Sequence, residues 1–154
     1  MKKIFLLCLF VFISAAASAQ KVTEKDLQGN WKMTAFNAGG INVDVATEKI
    51  TLSKEMEGKV TQQQQQQMQA QMAQAMTIFK TSSVSVAGNS FNQTMGQQQQ
   101  KGTFTLKEKE GKQYLVLTKE NGTVEELNVA LNGKMLHIGQ GDATKGAAFI
   151  YIKQ

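Results

Sequence analysis

The chain has no proline and no arginine, and only one cysteine, one histidine and one tryptophan among its 154 residues. Without proline, its turns have to be made by glycine and asparagine. Without arginine, all 17 basic residues are lysine. The arginine clusters with interleaved aromatics that mark nucleic-acid binding are therefore missing. The lysines are scattered and alternate with acids, as in Lys107-Glu108-Lys109-Glu110, which is the pattern of a mixed, solvated surface. The lone cysteine, Cys8, falls inside the N-terminal apolar run. Once that run is removed, no disulfide, thiol nucleophile or cysteine metal site is available. The single histidine, His137, faces away from Leu136 and Ile138 on an alternating stretch, which puts it on the solvent side. No serine sits in a G-x-S-x-G setting, and no glycine-rich phosphate loop is present. Glu125 and Glu126 are neighbours on a strand, so they point to opposite faces and cannot act as an acid–base pair. The sequence thus offers no catalytic group, no metal-ligand set and no cofactor motif, and it reads as non-enzymatic.

What is present begins with a targeting segment. Lys2 and Lys3 precede an apolar stretch from Ile4 to Ile13, and Ala17-Ser18-Ala19 is a small-residue cleavage site. Residues 1–19 are expected to be a signal peptide and Gln20 the mature N-terminus. The apolar stretch is short for a membrane span. Cys8 follows Leu6-Leu7 rather than closing the run after small residues, which argues against lipid attachment. No stable membrane anchor is expected after cleavage, and the compartment is the periplasm or the outside of the cell. The net charge is +5, and removing Lys2 and Lys3 leaves +3. Residues 20–154 make one domain.

Along that domain, Thr23-Glu24-Lys25-Asp26 has the form of a capped helical turn. Leu27 leads into a first strand on which Trp31, Met33 and Ala35 share one face and Lys32, Thr34 and Phe36 the other. Gly39-Gly40 marks a turn, followed by an extended piece from Ile41 to Val45 that continues toward Ile50 and Leu52. Between residues 54 and 80 the composition shifts to Gln, Ala and Met, all good helix formers. Met68, Met72 and Met76 recur every four residues, and Ala75 and Phe79 extend the stripe. This predicts a helix of about 20 residues, near 30 Å long, with an apolar C-terminal half and an exposed amide-rich N-terminal half. Disorder of the Gln62–Gln67 run is the alternative for that half.

After Lys80 the period changes to two. Val84 and Val86 alternate with polar neighbours, as do Phe91, Gln93 and Met95. Gly96 to Gln100 reads as a polar connection, and Thr103 to Lys107 as a strand. Tyr114 to Thr118 is apolar on both parities, which predicts cover on both faces. Asn121-Gly122 is the strongest hairpin signal in the chain, and Asn132-Gly133 a second. Leu127, Val129 and Leu131 share a face. Residues 139–146 read as a loop, and Ala147 to Ile152 as the last strand. Seven short strands follow residue 83, and eight or nine are expected in all. Short turns impose antiparallel neighbours. Such a meander closes most simply into a mainly β, up-and-down β-barrel, with the Gln/Met-rich helix inserted at about 54–80.

The opening Leu27-x-Gly29-x-Trp31 resembles the G-x-W start of lipocalins, and in particular the small lipocalin-like calycin-type domains of exported bacterial proteins. Gly102-Thr103-Phe104-Thr105-Leu106, Tyr114-Leu115-Val116-Leu117 and Tyr151-Ile152-Lys153 resemble the later strands of those domains. The resemblance covers the mature chain apart from the helix. It implies that Trp31 closes the barrel floor and that a basic residue on the last strand packs over the ring; with no arginine, Lys153 takes that place.

Two functions remain open. One is a carrier of a small apolar molecule, held among Met33, Phe91, Met95, Phe104, Leu106, Leu115 and Leu117 with Met72 and Met76 of the helix as lid. The other is a structural or protein-interaction module of the cell envelope whose barrel is filled by its own side chains. The methionine stripe has three readings: packing between helix and barrel, an adaptable surface for a lipid-like ligand or a protein, and soft-ligand capture of Cu(I).

Overall fold

Residues 21–140 and 146–154 are described by the computed structural model. The proposed signal peptide and residues 141–145 of the expected loop lie outside them. The described chain forms ten strands: β1 (Gly29–Ala38), β2 (Ile41–Asp44), β3 (Lys49–Leu52), β4 (Ser83–Ala87), β5 (Ser90–Met95), β6 (Gln98–Lys109), β7 (Lys112–Lys119), β8 (Val124–Asn132), β9 (Met135–Gln140) and β10 (Ala147–Lys153). Three helices accompany them: α1 (Glu24–Leu27), α2 (Lys54–Glu57) and α3 (Gln62–Lys80).

Strands β4 to β10 form an antiparallel meander, and β1 pairs with both β4 and β10 to close an eight-stranded barrel. The expected architecture is borne out. The seam joins the two ends of the chain, since Trp31 stands opposite Lys153. The β2–β3 hairpin is additional. The first half of β1 pairs with β4, while its second half turns that same edge to β2.

A bulge in β1 makes this division workable. Met33 pairs with Tyr151 and Ala35 with Ile150, so Thr34 is an extra residue. Its free groups are used: Thr34 Oγ1 donates to Ile150 O at 3.3 Å, and Thr34 O accepts from Val45 N at 2.8 Å. The extra residue reverses the side-chain parity beyond it. Phe36, expected on the face of Lys32, is carried to the core side and pairs with Phe149. Its ring lies 5.1 Å from that of Phe149 and 5.3 Å from that of Phe79 on α3.

One end of the barrel, its floor, carries the tight turns at residues 88–89, 110–111 and 133–134. Glu110 and Gly111 both take positive φ (53° and 73°), giving a primed hairpin turn that suits the strand twist. Helix α1 lies across this end. Its N-cap Thr23 and Asp26 form the expected capping box. Val22 and Leu27 are buried, and Val22 exchanges hydrogen bonds with the Gln113 side chain (2.6 and 2.9 Å). Trp31 is 1% exposed and donates its indole N–H to Leu27 O at 2.7 Å. The Lys153 ammonium sits 5.2 Å from its ring centroid.

Helix α3 runs through the Gln stretch, which is helical. Thr61 caps it reciprocally with Gln64. Residues 62–67 are exposed, whereas Met76 and Phe79 are buried and Met72 and Ala75 pack against the core. The helical insertion expected at about 54–80 is present in two pieces, the single turn α2 and the 19-residue α3, with Gly58 to Thr61 between them.

Three smaller expectations change. Gln98 to Gln100 are strand, not connection: Gln100 pairs with Gln93 and Gln98 with Met95. Asn121-Gly122 does turn a hairpin, but through a three-residue loop closed by Lys119 N donating to Thr123 O at 2.8 Å, with Gly122 at φ 81°. On β7, Leu115 and Leu117 are buried, while Tyr114 and Val116 lie half-exposed on the outer wall.

Candidate functional site

The interior is filled from the floor upward. Trp31, Met33, Leu115, Leu136 and Tyr151 are each at most 1% exposed. Of the residues expected to line a carrier cavity, Met33, Phe91, Phe104, Leu115 and Leu117 belong to this packed core, and Leu106 packs against it. Met72 and Met76 pack between α3 and the barrel, as the first methionine reading expects. Met95 is the exception. It lies half-exposed at the other end of the barrel, its mouth, between the 96–97 turn and the 120–123 loop.

A concave space lies at that mouth. A recess of about 530 Å³ is lined by Gln93, Met95, Gln98, Gln100, Lys119 and Asn121, with Gln99, Lys101 and Glu120 beside them. Its volume is in the range of small-molecule sites, about 300–1,000 Å³. Strand register explains the lining. Phe91, Gln93 and Met95 share the inward parity of β5, and Gln98, Gln100, Gly102 and Phe104 that of β6. Apolar residues fill the floor end of each strand, and amides take over toward the mouth. Gly102 lies between the two groups. A Cβ there would stand 2.2 Å from Thr118 O, so only glycine lets β6 and β7 approach this closely.

The polar groups are organised. Gln93 Nε2 donates to the Tyr151 hydroxyl at 3.1 Å, linking β5 to β10 across the barrel. Burial pushes the Tyr151 phenol up to about 12, partly offset by that hydrogen bond, so it stays neutral. Lys119 Nζ pairs with Glu125 Oε2 at 2.8 Å, and both side chains are about three-quarters covered. Glu125 Oε1 also accepts from Gln140 Nε2 at 3.1 Å. Glu126, on the opposite face, pairs with Lys107 instead.

His137 lies on the outward register of β9, in a depression of about 340 Å³ with Asn128, Ala130, Gly139 and Ala148. It is half-buried rather than freely solvated, and burial holds its imidazole below the usual histidine range. Nε2 has no hydrogen-bond partner among the described residues. Among the described residues, no three His, Cys, Asp or Glu side chains are grouped to hold a metal ion, and no helix is long and apolar enough to cross a membrane.

The amide-lined mouth carries no motif, and its residues come from three strands and a loop. The one usable signal was the change from Phe to Gln to Met along one parity of β5 and from Gln to Gly to Phe along one parity of β6. No protein-family model matches the chain, and neither a curated protein nor a solved structure proves significantly similar to it.

Proposed function

We propose that this is an exported, non-enzymatic, lipocalin-like binding protein whose barrel is a filled scaffold and whose binding position is the mouth. The observation that carries the reading is the division of the interior: five expected lining residues are at most 3% exposed in the core, whereas the recess of about 530 Å³ opens above them among the half-exposed Gln93 and Gln100 and the exposed Gln98 and Asn121. An apolar molecule inside the barrel would have to displace Met33, Phe91, Phe104, Leu115 and Leu117 from a close-packed interior. Export rests on the charged, apolar and small-residue order of residues 1–19.

The test is native mass spectrometry of the protein purified from its host, combined with hydrogen exchange. A bound mass whose removal deprotects residues 93–101 and 119–121 supports the reading, and N-terminal sequencing should find Gln20 first. Deprotection confined to the core strands would instead restore the interior carrier. The exposed first half of α3 favours a second reading, a protein-interaction module of the cell envelope. In that case a captured protein would protect residues 62–71 and leave the mouth unchanged.

A further inference from the structure

We propose that the mouth recognises a neutral, hydroxyl-rich molecule, a short saccharide, in place of an apolar one. This rests on the mouth being the binding position. The first argument is the donor–acceptor inventory. Gln93, Gln98, Gln100 and Asn121 line one recess. Each amide presents one acceptor oxygen and two donor hydrogens. A hydroxyl both gives and takes a hydrogen bond, so an array of amides matches an array of hydroxyls without any charge on either side. Gln93 and Gln100 are directly opposed across β5 and β6, so their side chains leave the sheet together. Beneath the recess, the buried Tyr151 hydroxyl accepts from Gln93 Nε2 and fixes the orientation of that amide.

The second argument is charge. Lys119, the cation of the recess whose side chain is mostly covered, is already neutralised by Glu125, which Gln140 holds from its other oxygen. Lys101 and Glu120 at the rim balance one another in sign. A phosphate or fatty-acid carboxylate drawing on Lys119 would have to break its pair with Glu125, and the other cation, Lys101, is an exposed rim residue where an ion contact is weak. The third argument is shape. Gly102 occupies the inward register between Gln100 and Phe104, and the β7 backbone closes on it at Thr118 O, so the recess has a closed base beneath the amides. Met95 contributes the one large apolar side chain of the lining. An apolar ligand would cover the amides without satisfying them, a loss of roughly tenfold or more in affinity for each.

The test is a set of nitrogen-15 NMR titrations of the exported, purified protein with maltose, cellobiose and N,N′-diacetylchitobiose, and separately with laurate and inorganic phosphate. At least one disaccharide should shift the side-chain amide signals of Gln93, Gln98, Gln100 and Asn121 saturably. Gln100→Leu should weaken that binding about tenfold with the rest of the spectrum retained. Gln63→Leu on α3 should leave it unchanged. Laurate or phosphate moving these signals, with every saccharide silent, would overturn the ligand class and leave the mouth as the binding position. If no titrant moves the mouth signals, both readings fail. Unaltered affinity in Gln100→Leu would overturn the inference even where a saccharide binds.

Discussion

Trp31→Phe tests how the barrel is closed. The indole is 1% exposed, and its N–H donates to Leu27 O at 2.7 Å. Phenylalanine keeps an aromatic ring but loses the donor and roughly three ring atoms. Leaving the buried Leu27 carbonyl unpaired costs about 1–3 kcal/mol. The vacated ring volume, at about 0.8 kcal/mol per methylene-sized group, costs about 2 kcal/mol more. The sum, about 3–5 kcal/mol, is a large part of the 5–15 kcal/mol that typically holds a domain folded. Lys153→Met removes the cation over the ring, an exposed contact worth about 0.5–1 kcal/mol, together with the long Nζ donation to Asp26 O at 3.4 Å. Urea unfolding followed by far-ultraviolet circular dichroism measures both variants, because Trp31→Phe deletes the chain's only tryptophan reporter. The double variant should show a coupling no larger than the Lys153 effect. In the unmutated protein, Trp31 emission should be blue-shifted and resist acrylamide quenching. A Trp31→Phe cost below about 1 kcal/mol, or emission at the position of free indole in water, would refute the plug.

Three further outcomes follow from particular groups. Tyr151 has its phenol pushed up to about 12, so it stabilises the fold fully below its unfolded value near 10 and loses that contribution as pH rises toward 12. The shift corresponds to about 3 kcal/mol, and ultraviolet titration at 295 nm should show one tyrosine ionising only as the protein unfolds. His137 is held below its usual range, so its contribution is present above about pH 6.5 and is lost as pH falls through the folded value. Urea midpoints between pH 7.5 and 5 should fall for the natural chain and flatten in His137→Gln. Gly102→Ala forces β6 away from Thr118 O and should cost about 1–3 kcal/mol, with loss of amide protection at residues 117–119 by hydrogen exchange.

The barrel was legible because its strands after residue 83 alternate cleanly and its turns are made by glycine. The helix was legible from the four-residue spacing of Met68, Met72 and Met76, which needs no tertiary information. Phe36 was misplaced because a bulge leaves no mark in the alternation. Thr34 is an ordinary strand residue, and only the competing demands of β10, β4 and β2 make it the extra one. Gln98 to Gln100 look like a linker by propensity. They are strand because Gln93 to Met95 lie beside them to pair with, and context of this kind overrides a weak local preference. The mouth was missed for a related reason. A run of glutamines is compositionally bland, and it becomes a lined recess only when two neighbouring strands set the same parity toward one opening.

The seam between Trp31 and Lys153 also constrains when the molecule can become itself. Its closing partners lie near opposite ends of the described residues, separated by the whole meander. A chain made from its N-terminus delivers the tryptophan early and its covering strand only after the other barrel strands. Until then β1 can hold only one of its two barrel neighbours, so the ring stays open along its length. Long-range pairing of this kind is slow to form. The order of synthesis therefore leaves the ring unfinished until β10 has been made.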